Sequence, residues 1–338
     1  VKTFIIAEAG ANHNRDFEQA KALIDVAKES GADACKFQTY SSETLYSKNT
    51  QDFAGYKEIN KLIKNIELPR EWQSDLKLYC DEVGIEFMST PFDELAVQQL
   101  VDIGVKRMKI AGFESTDLRF VDMVASAGLP LIVSLGIGSD FSIIPRIMDI
   151  ASNRGVDDVT FLHCNNAYPT PAQDANLDTI KSLTLDTRYR TGISDHTMST
   201  LTPALAVAAG ATVVEKHFTL SKRLSGPDHP FALEPHELKE MVDHIRYAEL
   251  CMGHKEDTLT QSEKNFQNAM RSVVAKTPLK SGDILTVDNI TTKRPYVEGA
   301  VAAINFFDVL GHPINGSIGE DSQLMKTNLK SYFEPKSL

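Results

Sequence analysis

From residue 3 to about residue 252 the chain repeats one hydrophobic–polar rhythm. A short apolar run ends in polar or glycine-rich residues, and an amphipathic helical pattern follows. The runs are FIIAEAG, ACKFQTY, EFMSTPF, RMKIAGFE, LIVSLG, VTFLHCN, YRTGISD and TVVEKHF, eight in all. Apolar runs of this kind, without clean alternation, read as strands buried on both faces, as in a parallel sheet. Between them, Phe17, Ala20, Ile24 and Ala27 recur at helical spacing, and Gly31 stands where a C-terminal cap belongs. Near the end of the series Leu238, Met241, Val242 and Ile245 form a similar stripe, and Pro235 suits a first helical turn. Eight strands each followed by a helix, in roughly 250 residues, is the size and rhythm of an α/β protein of the (β/α)8 TIM-barrel class. A doubly wound open sheet has the same alternation, but no Gly-x-Gly-x-x-Gly follows the first run.

One connection is long. Residues 41–85, after the second strand, carry a stretch that a loop covering a site would need. Near residue 253 the rhythm breaks: GHKEDTLTQSEKNFQNAM is polar and reads as a linker with a helical turn. The pattern predicts a barrel over 1–252, a linker over 253–271 and a small domain over 272–338. Two of the tail's pieces are alike, DILTVDNI at 283–290 and SQLMKTNL at 322–329, each with Leu, then Asn four residues later, then an aliphatic. At about 65 residues this segment is near the lower limit for a self-sufficient core, so it is expected to lean on the barrel or on another subunit.

Composition narrows the function. With 42% hydrophobic and 24% charged residues the chain is neither disordered nor of low complexity. A net charge of −11 argues against nonspecific nucleic-acid binding, which rests on clustered lysine and arginine. It leaves room for a small anionic substrate held by a few buried lysines. Cys35, Cys80, Cys164 and Cys251 are dispersed and form no C-x-x-C pair, which suggests reduced thiols in a cytoplasm-like compartment. VKTFIIAEAGANHN lacks the long apolar run of a signal peptide, and no segment has the ~18 apolar residues of a membrane helix. A cytoplasmic protein without nucleic-acid or membrane partners is expected.

In a barrel the active site lies at the C-terminal ends of the strands. Those ends offer Glu8, Asn12 and His13; Lys36 and Gln38; Ser89 and Thr90; Lys109 and Glu114; Ser134; His163, Asn165, Asn166 and Tyr168; Ser194, Asp195 and His196; and Glu215, Lys216 and His217. Lysine is seldom buried unpaired. Lys36 and Lys109 therefore need anions, either neighbouring carboxylates such as Glu8 and Glu114 or a ligand. The hydroxyls of Thr90, Ser134 and Ser194 favour a phosphate or carboxylate ligand, since anion sites combine ammonium groups with neutral donors. A single histidine in a strand is commonly structural. His196 and His217, on successive strands, are placed to share one divalent metal and leave its other positions open. Glu8 and Glu114 are the candidate acid/base groups, with desolvation and nearby lysines pulling their pKa values in opposite directions. Glu215 is expected to point away from His217.

Taken together, IIAEAGANHN, KFQTY, STPF, NAYPTP, SDHT, EKHFT, SGPDH and KRP, in this order, closely resemble the sialic acid synthase family, which includes the legionaminic and pseudaminic acid synthases. The resemblance covers nearly the whole chain, and the tail resembles the antifreeze-like (SAF) domain of these enzymes. It implies condensation of phosphoenolpyruvate with an open-chain N-acetylated aminohexose, N-acetylmannosamine or a 2,4-diacetamido-trideoxyhexose, to a nine-carbon 2-keto acid and phosphate. Carried over motif by motif, His196 and His217 would bind Mn²⁺. Lys36, Thr90, Lys109, Ser134, Asn166, Tyr168 and Ser194 would hold phosphoenolpyruvate. Glu8, Gln38, Glu114 and Asp228 would meet the sugar or the attacking water, with Glu114 the general acid/base. Arg294 would reach the N-acyl group from a partner subunit, implying a domain-swapped homodimer.

The chain departs from the family pattern at three places. Gly112 stands where serine is usual, so one expected phosphate donor is missing. Leu135 replaces the threonine of S-T-G, and YVEGAV replaces a glycine-rich loop after KRP. Two other readings fit parts of the pattern: a 3-deoxy-aldulosonate synthase with an aldose-phosphate acceptor, and a catalytically impaired relative that only binds.

Overall fold

The computed structural model describes residues 2–50, 52–53, 55–137, 139, 141–187, 189–253 and 260–329. Eight strands, β1 (Phe4–Gly10), β2 (Ala34–Thr39), β3 (Glu86–Pro91), β4 (Met108–Ile110), β5 (Leu131–Leu135), β6 (Val159–Cys164), β7 (Arg190–Asp195) and β8 (Val213–His217), occupy the eight apolar runs. Helices α1 (Phe17–Ser30), α2 (Ile59–Ile66), α3 (Gln73–Val83), α4 (Glu94–Asp102), α5 (Leu118–Ala125), α6 (Ile143–Asn153), α7 (Asp178–Thr187), α8 (Thr202–Ala208) and α9 (Pro235–Met252) fall between and after them. All ladders in the sheet are parallel, in the order β3-β2-β1-β8-β7-β6-β5-β4. β3 and β4 lie side by side without a ladder, so the sheet is a nearly closed barrel of the TIM type.

Local chemistry explains the boundaries. Asp16, Asp93 and Asp117 each cap a helix by accepting from a main-chain N–H three residues on, at 3.0, 2.8 and 3.1 Å. Gly31 takes the left-handed conformation (φ 87°) that ends α1. The α9 stripe of Leu238, Met241, Val242 and Ile245 is buried, and Glu234 and Glu237 close a capping box at its start. Strand side chains that face the helices, among them Ile5, Phe37, Val133, Phe161 and Val214, join the helix stripes in one core. At Gly192 on β7 a Cβ would fall 2.2 Å from the Val213 carbonyl oxygen, so only glycine lets the β7 main chain come this close to β8.

The long connection after β2 contains a short antiparallel pair, Asp52–Phe53 with Tyr56–Lys57, then α2 and α3. A small apolar cluster of Tyr40, Ile59 and Ile63, with Leu45, Tyr46 and Phe92 against it, gives this segment a core of its own. Asp93 fixes it through Arg70 and Thr44, and Glu67 through the main chain of Ser42.

The chain divides into two compact units, Val1–Gly253 and His254–Leu338. Residues 254–259 of the expected linker and 330–338 of the expected small domain lie outside the described residues. In the second unit β9 (Ser272–Ala275) pairs antiparallel with β10 (Ile290–Lys293), and Val273, Leu285, Ile290, Val301, Ile314 and Leu324 are buried in a core within the unit. The two similar pieces of sequence build the same turn. Asn289 Oδ1 accepts from the Thr286 N–H at 2.8 Å, and Asn328 Oδ1 from the Met325 N–H at 2.9 Å. Leu285 and Leu324, one residue before each turn, are both buried.

Candidate active site

The C-terminal mouth of the barrel gathers a buried cluster of opposite charges. Lys36 on β2 lies 2.6 Å from Glu8 Oε2 on β1, donates to Thr90 Oγ1 on β3 at 2.9 Å, and stands 3.7 Å from Glu215 Oε2 on β8. Lys109 on β4 donates to Ser134 Oγ on β5 at 2.8 Å and to the Ile110 carbonyl at 3.0 Å, and lies 3.6 Å from Glu215 Oε1. Ser194 on β7 donates to Glu215 Oε1 at 3.2 Å. Gln38 donates to Glu8 Oε1 at 2.8 Å. The lysines' anions are thus carboxylates of the chain itself. Three hydroxyls, of Thr90, Ser134 and Ser194, and the Gln38 amide complete the cluster.

Glu215 corrects the expectation that it points away from His217. Positions 215 and 217 are two apart on one strand, so their side chains share a face. Glu215 is inside the barrel between the two lysines, and it is Lys216 that points the other way, to Asp195.

Burial sets the protonation of this cluster. Burial pushes the Glu8 carboxyl up to about 7, against the opposing pull of Lys36. Burial also pushes Glu215 up, but Lys109 and Lys36 together outweigh it and hold it below the ordinary value, as an anion. Desolvation works against the Lys36 ammonium, yet Glu215 and Glu8 more than compensate and keep it charged. Glu114 follows β4 and has a buried Oε2 that accepts no hydrogen bond among the described residues. Burial raises it to about 7, with Lys109 opposing. Desolvation therefore wins at both Glu8 and Glu114.

His196 and His217 come together as the sequence suggests. Their ring centroids are 5.5 Å apart, and both are buried. The His196 Nδ1 is 2.6 Å from the Asn165 carbonyl oxygen. A carbonyl can only accept, so Nδ1 carries the proton and Nε2 keeps its lone pair. Among the described residues His217 Nδ1 is buried without a hydrogen-bond partner, and it lies 3.9 Å from Asp228 Oδ2. Burial lowers the pKa of both rings, keeping them neutral as metal ligation requires. Among the described residues no group of three or more His, Cys, Asp or Glu forms a fuller ligand set. Two neutral rings this close, with His196 Nε2 free to ligate, could hold a divalent ion and leave its other positions to ligands. Asp228, raised to about 6 by burial, and Tyr168, packed on His196 with centroids 4.2 Å apart, border the same place.

Asn166 follows β6 and reaches across to the turn after β5. Its Oδ1 accepts from the Ile137 N–H at 2.7 Å, and its Nδ2 lies 3.4 Å from the Tyr168 hydroxyl. Arg294 belongs to the second unit and is exposed there. Of the other strand-end residues, Ser89 is bonded to Thr39 at 2.8 Å, Asn12 to the Phe218 carbonyl at 2.8 Å and His163 to the Ala175 carbonyl at 2.8 Å, all structural links.

A family model described as NeuB family matches residues 23–257, and a SAF domain model matches residues 270–330. The chain belongs to the NeuB family. An uncharacterized protein of Methanocaldococcus jannaschii is 43% identical over 87% of this chain and 85% of its own length. The N,N'-diacetyllegionaminic acid synthase of Legionella pneumophila is 36% identical over 97% of this chain and 95% of its own. The crystal structure of an N-acetylneuraminic acid synthetase from Leptospira borgpetersenii, in complex with citrate, superposes with a TM-score of 0.73 at 34% identity, covering 79% of this chain and 90% of that one. This NeuB-family chain is thus an enzyme of the sialic-, legionaminic- and pseudaminic-acid synthase group carrying a SAF domain.

Two of the chain's departures have structural accounts. Leu135 is buried in the core between barrel and helices, while its neighbour Ser134 faces Lys109, so the Thr-to-Leu difference lies off the charged cluster. At Gly112 a Cβ would meet both amide atoms of Asn166 at 3.0 Å and the Gly136 Cα at 3.2 Å. Asn166 fills the space a serine would use. The altered sequence after KRP is held by its own unit: the Tyr296 N–H reaches the Asn268 carbonyl at 3.1 Å.

The sequence reading missed the inward Glu215, and it gave no role to the pair of Lys216 with Asp195. Period-2 counting from His217 would have found the first. A lysine beside a histidine at one strand end, level with an aspartate beside a histidine at the next, was the signal for the second.

Proposed function

We propose that this NeuB-family enzyme condenses phosphoenolpyruvate with an open-chain N-acetylated aminohexose, either N-acetylmannosamine or a 2,4-diacetamido-trideoxyhexose, to give a nine-carbon 2-keto acid and phosphate. The observation that carries the reading is the juxtaposition of two buried lysines with two neutral histidines at one barrel mouth. A ligand with a phosphate and a carboxylate matches the lysines and hydroxyls, and a carbonyl acceptor matches the histidines.

In this scheme Lys36 and Lys109, with Thr90, Ser134, Ser194, Asn166 and Tyr168, hold phosphoenolpyruvate. Gln38, Asp228 and Arg294 orient the sugar, Arg294 coming from a partner subunit in a domain-swapped homodimer. Carbon 3 of phosphoenolpyruvate forms the new bond to the aldehyde carbon, and the aldehyde oxygen takes a proton. Water adds at carbon 2 and gives up a proton. The bond from carbon 2 to the phosphate's bridging oxygen then breaks, and the carbon 2 hydroxyl gives its proton to the departing phosphate, leaving the ketone. With a carboxyl near 7, Glu114 can give the proton at the aldehyde oxygen and recover one later, and Glu8 faces the attacking water. His196 Nε2 and His217 would hold the divalent ion, Mn²⁺, which when bound polarises the aldehyde oxygen as a Lewis acid.

The test is phosphate release from phosphoenolpyruvate with Mn²⁺ and, in turn, N-acetylmannosamine, its 6-phosphate and the two diacetamido sugars. Release with an N-acetylated aminohexose that stops on chelation is the expected result. Release only with a simple aldose phosphate would replace this reading by an aldulosonate synthase, and tight metal binding without turnover on any acceptor would replace it by a binding protein.

A further inference from the structure

We propose that the buried pair of Lys216 and Asp195 is a positioning device that sets the separation and direction of the two metal-facing histidines. The inference rests on the reading of His196 and His217 as ligands. Lys216 and Asp195 are register partners on β8 and β7, and each is followed directly by one of the two histidines. The ammonium lies 2.6 Å from Asp195 Oδ2, with side-chain exposures of 1% and 2%. It also donates to the Thr197 carbonyl and to Thr197 Oγ1. Asp195 in turn accepts from the Thr197 N–H at 2.9 Å and from its hydroxyl at 3.1 Å. The main chain on both sides of His196 is therefore tied to the residue that precedes His217.

Strand alternation converts this tie into ring direction. Lys216 can reach Asp195 only from the outer face of β8, and with that face assigned, His217 must face inward. His196 is held further by its own carbonyl, which accepts from the Thr170 N–H at 2.8 Å, and by Nδ1 on Asn165. The absence of a Cβ at Gly192 lets β7 and β8 approach closely just before the pair. Stability alone does not call for ions here, since apolar residues of similar volume commonly replace a buried ion pair without loss. An ammonium that must satisfy a carboxylate, a carbonyl and a hydroxyl at once supplies direction, which apolar packing does not.

The experiment uses the full chain, with Lys216→Met/Asp195→Leu, which leaves no orphaned charge, and Thr197→Val, which removes only the hydroxyl. Mn²⁺ affinity is measured from the electron paramagnetic resonance of the free ion, phosphoenolpyruvate affinity by calorimetry without metal, and folding by thermal melting. Mn²⁺ binding is expected to weaken by about 10–100-fold in the double variant, the range seen when groups that orient ligands are removed. A smaller loss is expected in Thr197→Val, with phosphoenolpyruvate affinity unchanged in both. Folded variants that bind Mn²⁺ as tightly as the parent would overturn the positioning role while leaving the ligand assignment intact. Parallel loss of Mn²⁺ and phosphoenolpyruvate would reduce the pair to general support of the barrel. A parent chain that does not bind Mn²⁺ would overturn the histidine assignment and this inference with it.

Discussion

The Lys36 ammonium and the Glu8 carboxylate meet at 2.6 Å in a place closed to solvent, and yet the carboxyl is held up near 7. Two carboxylates, Glu8 and Glu215, face one ammonium there, and the second lysine is nearer to Glu215. The proton that the cluster keeps near neutrality therefore belongs on Glu8. A cluster that can hold or release one proton can take in an anionic ligand without a large electrostatic cost.

Removing the ammonium should expose that balance. Lys36→Met leaves two carboxylates facing each other in a buried site, and breaking such a pair costs about 3–5 kcal/mol. Glu8 can take up a proton, so the loss should fall at the low end of that range at pH 5 and rise by pH 8. Lys36→Met/Glu8→Gln should recover much of it. Chemical denaturation of the three proteins at both pH values checks this, and additive losses in the double variant would show that the two side chains do not interact.

Glu114 makes a separate prediction about pH. Its folded-state pKa, about 7, is above the ordinary 4.5, so between those values the folded chain binds the proton more tightly than the unfolded chain. Its contribution to stability is accordingly lost as pH rises through that window. Glu114→Gln should melt higher relative to the parent at pH 8 than at pH 5. If the protonated form is the acid in catalysis, the parent's kcat/KM should fall above about pH 7, and Glu114→Gln should be slow throughout without that limb. A variant with the parent's full rate and pH profile would remove Glu114 from the chemistry.

Much of this site could be read before the fold was known, for a physical reason. Strands buried on both faces are nearly all apolar, so each polar residue at a strand end stands out, as Lys36, Lys109 and His217 do. The α9 stripe was equally plain, because Leu238, Met241, Val242 and Ile245 have no polar interruption on their face. Three-dimensional approach was not legible. Nothing local says that Asn166 will settle against Gly112 and Gly136, which come from different strand ends. Glu215 shares the inward face of His217 by strand alternation, whereas Lys216, a charge beside a histidine, reads in sequence only as strand-end polarity.

His217→Ala should separate metal binding from folding. Among the described residues its Nδ1 has no hydrogen-bond partner, so truncation orphans none of them at that nitrogen. The variant is expected to melt within a few degrees of the parent, lose measurable Mn²⁺ binding and release no phosphate. Turnover at the parent's rate in chelated buffer would show that the histidine pair holds no catalytic ion.

Arg294 tests the proposed exchange between subunits. Arg294→Ala should raise the acceptor KM while leaving the small unit's own core, built on Val273, Leu285 and Leu324, untouched. Mixed with inactive Lys36→Met chains after partial denaturation and refolding, it should regain the parent's acceptor KM, because one site of each mixed dimer then draws both intact residues. Failure of every mixture to regain that KM would place Arg294 in its own chain's site or in none.

Gly112→Ser is the most informative single change, because the family pattern and the structure predict opposite results. By the pattern alone, serine would supply a missing phosphate donor and strengthen phosphoenolpyruvate binding. Here the new Cβ would stand 3.0 Å from both amide atoms of Asn166 and 3.2 Å from the Gly136 main chain. Gly136 cannot give way, since a Cβ there would itself fall 2.1 Å from Asn166 Oδ1 and 2.8 Å from the Gly112 Cα, so the two glycines are already packed main chain to main chain. Asn166 must then shift by a few tenths of an ångström, which weakens the hydrogen bond it accepts from the Ile137 N–H at 2.7 Å. A net hydrogen bond is worth about 0.5–1.5 kcal/mol, which corresponds to a severalfold weaker hold on phosphoenolpyruvate. Calorimetric titration of the parent, Gly112→Ser and Gly112→Ser/Asn166→Ala decides the matter. Weaker binding in the single variant, with no further loss in the double, would mean that Asn166 does here what serine does elsewhere; tighter binding in the single variant would mean that the space was simply empty of a donor.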